Sequence, residues 1–134
     1  MVSIAFEYQG DLHCRAEHGP SRAELSTDAP VDNQGRGESF SPTDLVATAL
    51  GTCMLTTMGI LARTLGIDMS GATATVEKEM TGAPRRIQSL TVRIAMPGAV
   101  GAEDREKLMR AAHTCPVARS LHPKVQVPVE FLWG

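Results

Sequence analysis

Aromatic side chains are scarce in this sequence, with one Trp, one Tyr and three Phe among 134 residues. A core must therefore be assembled from Ala, Val, Ile, Leu and Met. That is adequate, but so small a chain buries modest area per residue, and a partner subunit would help. Charge excess is lacking too: 13 Lys and Arg stand against 15 Asp and Glu, for a net charge of −2. Without a basic field, nucleic acid and anionic membrane surfaces are poor partners. The opening MVSIAFEYQGD has no basic flank followed by an apolar run, so the expectation is no secretory signal and a cytoplasmic location. The three cysteines are an odd number, and in a reducing compartment they are expected to be free or redox-active thiols. No phosphate loop, dinucleotide fingerprint or nucleophile elbow occurs. His113, Cys115 and His122 match no zinc spacing, so no metal is expected.

What is present is one dominant stretch. Between Asp44 and Arg63 run eighteen residues without a charge, LVATALGTCMLTTMGILA, with Cys53 near the middle. Ser41 can cap a helix here, Pro42 suits its first position, Asp44 completes a capping box, and Phe40 can staple onto Leu45. Gly66 supplies a left-handed stop. A helix over Pro42–Leu65 would be roughly 36 Å long at about 1.5 Å per residue. Such a run meets the length of a membrane span, but four threonines and two glycines dilute it and its flanks read as strands. It is read as a core helix with no polar face. One sheet covers one side, so the same helix of a second subunit is expected on the other. Gly51 and Gly59, with Thr48, Thr52 and Thr56, offer small surfaces for that approach.

The remainder alternates with the period of strands. Val2, Ile4, Phe6 and Tyr8 share one face, Gly10-Asp11 turns the chain, and Leu12, Cys14 and Ala16 continue. After Gly19-Pro20, Ala23, Leu25 and Thr27 complete a three-stranded meander. Residues 28–39 form a loop of the length that is usually functional or mobile, with Arg36 between two glycines. Beyond the long helix, 72–80 and 87–96 form a hairpin with a charged, solvated tip. The sequence AEDREKLMRAAH then reads as an ordinary helix buried through Leu108, Met109 and Ala112. Thr114-Cys115-Pro116 reads as a cap and first turn of a short helix through Leu121. Residues 125–133 close as a strand that Pro128 marks as an edge or a bulge. Three strands, helix, two strands, two helices and strand make a single α+β domain over 1–134.

Two cysteines stand out by context. Cys115, at a helix N-terminus, gains from backbone N–H groups that favour a thiolate. Cys53, mid-helix in apolar surroundings, has its pKa raised by desolvation. On these grounds Cys115 is the reactive thiol, and the pair matters only if the two meet across 62 residues of sequence. Cys14 is a half-buried strand thiol, and Met54 and Met58 are core.

SPTDLVATALGTCM followed about sixty residues later by CPVARSL resembles the OsmC-like family of osmotically inducible and organic hydroperoxide resistance proteins. The resemblance covers nearly the whole chain. It implies an intertwined homodimer in which the long central helices pack inside antiparallel sheets. It also implies a thiol peroxidase for organic hydroperoxides. Cys53 would attack the O–O bond to give a sulfenic acid, and Cys115 would resolve it as a disulfide. This reverses the electrostatic ranking, and it requires a cation at Cys53. In the family an arginine from the first sheet serves, oriented by a glutamate after the proline that starts the long helix. Here Thr43 occupies that position. Arg22 and Arg36 are the candidate arginines, and Glu38 and Asp44 the candidate carboxylates. A dithiol reductant, dihydrolipoyl among them, is implied, with no metal or organic cofactor. The alternative is a dimeric protein of the same fold that binds a small apolar ligand and has no peroxidase activity.

Overall fold

A computed structural model describes all residues 1–134. The element order is β1 (Ile4–Tyr8), β2 (His13–His18), β3 (Glu24–Asp28), α1 (Pro42–Leu65), β4 (Thr73–Thr81), β5 (Arg86–Ala95), α2 (Ala102–His113), α3 (Pro116–Ser120) and β6 (Val129–Leu132). This is the α+β order read from the sequence. The chain forms two compact units, Met1–Val46 and Ala47–Gly134.

In the first unit β1, β2 and β3 form an antiparallel meander in that order. Gly10 at φ 89° opens the first turn, which Gln9 N–H closes on His13 O at 2.9 Å. The alternation of β1 is real, but its apolar face is not half-buried as the period suggests. Ile4, Phe6 and Tyr8 are 49, 73 and 64% exposed. A period of two states which side chains share a face, not what covers that face.

Residues 28–40 are folded back on their own stem. Asp28 N–H donates to Phe40 O at 3.1 Å, Gly35 N–H to Pro30 O at 2.9 Å, and Gly37 N–H to Ala29 O at 3.3 Å. Ser39 Oγ donates to Ser26 O at 2.9 Å, and Val31–Asn33 make one 3-10 turn. A Cβ on Gly35 would sit 1.7 Å from Ala29 O, so this approach admits only glycine. The length of the loop suggested slack around Arg36. Its hydrogen bonds remove that slack.

α1 has the expected bounds, and both ends are built as the sequence indicates. Ser41 N–H donates to Asp44 Oδ2 at 2.9 Å, and Asp44 N–H donates to Ser41 Oγ at 3.1 Å, a reciprocal capping box. Phe40 is 53% exposed, so no staple covers its ring. At the other end Gly66 is at φ 71°. Ile67 N–H reaches Ala62 O at 2.9 Å and Gly66 N–H reaches Arg63 O at 3.4 Å, the bond pair of a Schellman stop.

Within the second unit the buried positions of α1 recur every four residues, Leu50, Met54, Met58 and Ala62. They join Leu90, Val92, Ile94 and Met96 and, from α2, Leu108 and Ala112 in the core. Gly51 belongs to this buried side, since its Cβ would lie 3.1 Å from Val76 Cγ2 of β4. It lets the helix approach the sheet, not a second helix. The opposite stripe, Thr48, Thr52, Thr56 and Ile60, is exposed. By length and composition α1 is sufficient to cross a membrane, but its Leu50 to Ala62 face is taken up by the protein itself. The second sheet has the order β4-β5-β6. β4 pairs antiparallel and β6 parallel to β5, so this sheet is mixed. The return through α2 and α3 is long enough to bring the chain back in the same direction. Pro128 lies on the sheet edge, where its carbonyl accepts from Val92 N–H at 2.9 Å and no N–H is needed.

Candidate functional site

The two cysteines expected to matter meet within the second unit. Cys53 stands half-buried on α1 and Cys115 is fully buried. The chain reaches Cys115 through α2, whose last turn ends at Thr114. Thr114 is the C-cap of α2, its Oγ1 donating to Ala111 O at 2.9 Å. Cys115, and not Thr114, is the N-cap of α3, and its Sγ accepts the Ala118 N–H at 3.3 Å. A sulfur thus takes the place usually filled by a Ser or Asp oxygen. Cys53 is the thiol that acts on Cys115 electrostatically, and both are free thiols.

The acidity of Cys115 runs opposite to the sequence-based expectation. Burial pushes this thiol above its ordinary value of 9.0, the Ala118 and Val117 N–H groups pull the other way, and the hydrogen bond and negative charge of Cys53 add to the rise. The N-terminal amides were correctly anticipated, but desolvation outweighs them. The packed surroundings therefore favour the protonated form of Cys115.

The candidate arginines and carboxylates lie in the first unit. Arg22 has a left-handed backbone at φ 64° and pairs with Glu17 at 2.9 Å, its side chain 79% exposed. Arg36 approaches Asp28 Oδ1 at 3.9 Å, and the same oxygen bonds His13 Nδ1 at 2.6 Å. Asp28 is only 2% exposed. Of the carboxylates named from the sequence, Asp44 has one oxygen committed to the capping box. Glu38 is exposed and lines an open groove with Phe40 and Asp44. The sequence reading passed over Asp28 and His13. Their signal was faint: His13 and Asp28 are register partners on β2 and β3, visible only once the hairpin is aligned. Cys14, the third thiol, sits half-buried on β2 opposite Thr27. No group of three or more His, Cys, Asp or Glu side chains is arranged to hold a metal ion.

A thiol pair on a long capped helix and a cysteine-capped turn, set in a βββαββααβ chain, defines a class of protein, and the comparisons agree. The OsmC-like protein family matches residues 35–130, and the chain belongs to that family. A protein from Psychrobacter arcticus 273-4, provisionally described as an osmotic stress induced and detoxification response protein, is 46% identical. Its structure aligns with a TM-score of 0.94 over 98% of this chain and 96% of that one. An organic hydroperoxide resistance protein OsmC from Legionella pneumophila is 17% identical, with a TM-score of 0.79 over 98% and 96% of the two chains. A protein from Vibrio cholerae, provisionally described as an organic hydroperoxide resistance protein and with captopril bound in one of its active sites, is 21% identical, with a TM-score of 0.74 over 98% and 90%. At these two lower identities the likeness is one of fold. A comparison with curated protein sequences gives no match.

Proposed function

We propose that this protein is a cytoplasmic, homodimeric thiol peroxidase that reduces organic hydroperoxides. The observation that carries the reading is that two free thiols 62 residues apart in sequence, Cys53 and Cys115, act on one another in the fold. In this reading the Cys53 thiolate attacks the hydroperoxide, the O–O bond breaks, and an alcohol and a Cys53 sulfenic acid result. Cys115 then displaces the hydroxyl from that sulfur to give the disulfide and water, and a dithiol reductant of the dihydrolipoyl kind restores both thiols. Arg36 is favoured over Arg22 as the cation that assists the thiolate. It is presented from a hydrogen-bonded loop with a buried carboxylate, Asp28, beside it, whereas Arg22 is a solvated partner of Glu17.

The test is one equivalent of cumene hydroperoxide added to the reduced protein, followed by mass-spectrometric mapping of thiols. A Cys53–Cys115 disulfide formed with consumption of peroxide is expected. Unconsumed peroxide with both thiols intact would sink the enzyme reading in favour of ligand binding. The same assay on Arg36→Ala and Arg22→Ala identifies the assisting cation as the one whose loss slows disulfide formation.

A further inference from the structure

The half-buried positions of α1 form a stripe of their own beside the core stripe. Cys53, Thr57 and Leu61 are each partly covered and recur every four residues, so they lie one above another on one side of the helix. From Cys53 to Leu61 the helix rises roughly 12 Å at about 1.5 Å per residue. At the far end of this stripe Leu61 enters a groove of about 300 Å³ that it shares with Lys107, Arg110, Ala111 and Thr114 of α2 and its cap. Thr114 in turn immediately precedes Cys115. One stripe and one groove therefore join the neighbourhoods of both thiols.

The chemistry of the groove is amphipathic. Leu61 and Ala111 make its apolar part, and Lys107 and Arg110, three residues apart on one side of α2, make it cationic. Lys107 lies 3.5 Å from Glu103 in an exposed pair along the helix, a weak contact that leaves the ammonium available. Arg110 is exposed and makes no ion pair within the chain. The surrounding sequence sharpens the sign. From Lys107 to Lys124 the cations are Lys107, Arg110, Arg119 and Lys124, with no Asp or Glu among them, in a chain whose net charge is −2. Glu103 and Glu106, earlier on α2, do not line the groove. The grooves beside Glu38 and beside Met69 have no Lys or Arg in their walls.

We propose that this groove holds the carboxylate end of the hydroperoxide, with Lys107 and Arg110 as specificity-determining residues. The inference rests on the peroxidase reading above and names its substrate class: an aliphatic acid whose peroxide group lies roughly 12 Å along the chain from its carboxylate, the rise from Cys53 to Leu61. The peroxide meets Cys53, the hydrocarbon follows the Thr57 and Leu61 side of α1, and the carboxylate reaches the two cations. Apolar contact alone accepts any chain of suitable length. The cations select the free acid over its ester.

The test varies the charge of the substrate and keeps its chain. Steady-state turnover is measured for linoleic acid hydroperoxide, below its critical micelle concentration, and for the methyl ester of the same hydroperoxide. The wild-type KM is expected to be about fivefold lower for the acid with kcat alike, since an anchor remote from the reacting atoms contributes to binding and not to the bond-breaking step. Arg110→Glu is expected to raise the KM of the acid by about tenfold and that of the ester by less than about twofold, and Arg110→Lys to keep most of the preference. Added salt is expected to shrink the preference for the acid. Equal KM values for acid and ester, or an equal change in both with Arg110→Glu, overturns the carboxylate subsite and leaves the peroxidase intact. Calorimetric titration with decanoate and with decanol reads the same subsite without the reaction. A protein that consumes no hydroperoxide, yet binds decanoate more tightly than decanol and loses that difference in Arg110→Glu, overturns the peroxidase and keeps the subsite. No consumption and no such difference overturns both.

Discussion

Cys115 carries three constraints at once, being fully buried, capping α3 through its sulfur, and lying against Cys53. Their combined effect on acidity has a consequence for stability. A thiol whose pKa is higher in the folded chain than in the unfolded one favours folding while it stays protonated. That contribution is complete below the ordinary value of 9.0 and is lost as pH rises through the higher folded value. The urea midpoint of the reduced protein is therefore expected to fall above about pH 9, and Cys115→Ala to flatten the fall. Variant and wild-type curves that stay parallel from pH 7 to 10 would remove Cys115 as the responsible group. Asp28 matters at the same scale for a different reason. A carboxylate so nearly buried requires partners, and His13 and Arg36 supply them. Arg22, by contrast, pairs with the more exposed Glu17.

Among the elements, α1 depends most on its ends, because its apolar middle carries no charge pattern to fix where it starts and stops. The box at Ser41 and Asp44 satisfies backbone donors at one end, and the left-handed Gly66 satisfies carbonyls at the other. A Cβ on Gly66 would meet nothing within 4 Å, so the cost of Gly66→Ala is one of backbone conformation alone. That substitution is expected to lower unfolding free energy by about 1–2 kcal/mol, measured in urea. Gly66→Asn is expected to lose less, because Asn tolerates the left-handed region. An alanine variant as stable as wild type would mean that α1 ends by some other device. The short helix α3 behaves differently. Five residues cannot hold a helix by themselves, and it exists where Cys115 caps it and Pro116 begins it.

For the molecule as a whole, the uncovered apolar surface is the feature to explain. β1 exposes Ile4, Phe6 and Tyr8, and α1 exposes Ile60 at 67%. Thr52 and Thr56 on the exposed stripe of α1 turn their hydroxyls to their own helix, which leaves methyl groups outward. Three exposed apolar side chains along one strand form the kind of patch that an interaction covers, and the proposed second copy is its occupant. Sedimentation of the native protein is expected to give twice the 14.3 kDa chain mass. Phe6→Asp or Ile60→Asp is expected to shift the population toward monomer and make the melting temperature depend on protein concentration. A native mass of one chain at micromolar concentration would refute the dimer.

The lesson about legibility is specific to what each signal depends on. The bounds of α1 and α2, the first hairpin, the meander and the edge position of the last strand were all readable, because caps, turn glycines, prolines and periodicity act between residues a few positions apart. The family motif around Cys53 and Cys115 was readable for the same reason. Three things were not. The burial of β1 depends on what lies over it, the parallel return of β6 depends on where α2 and α3 leave the chain, and the link from Arg36 through Asp28 to His13 depends on strand register. The acidity of Cys115 joins them: its helix amides are local and were foreseen, while the burial and the neighbouring Cys53 that outweigh them come from residues distant in sequence. The sequence by itself thus determined the elements and both thiols. Only the tertiary structure decided that the acidity of Cys115 falls rather than rises, because desolvation and the charge of a neighbour are properties of the packed surroundings and not of the residue.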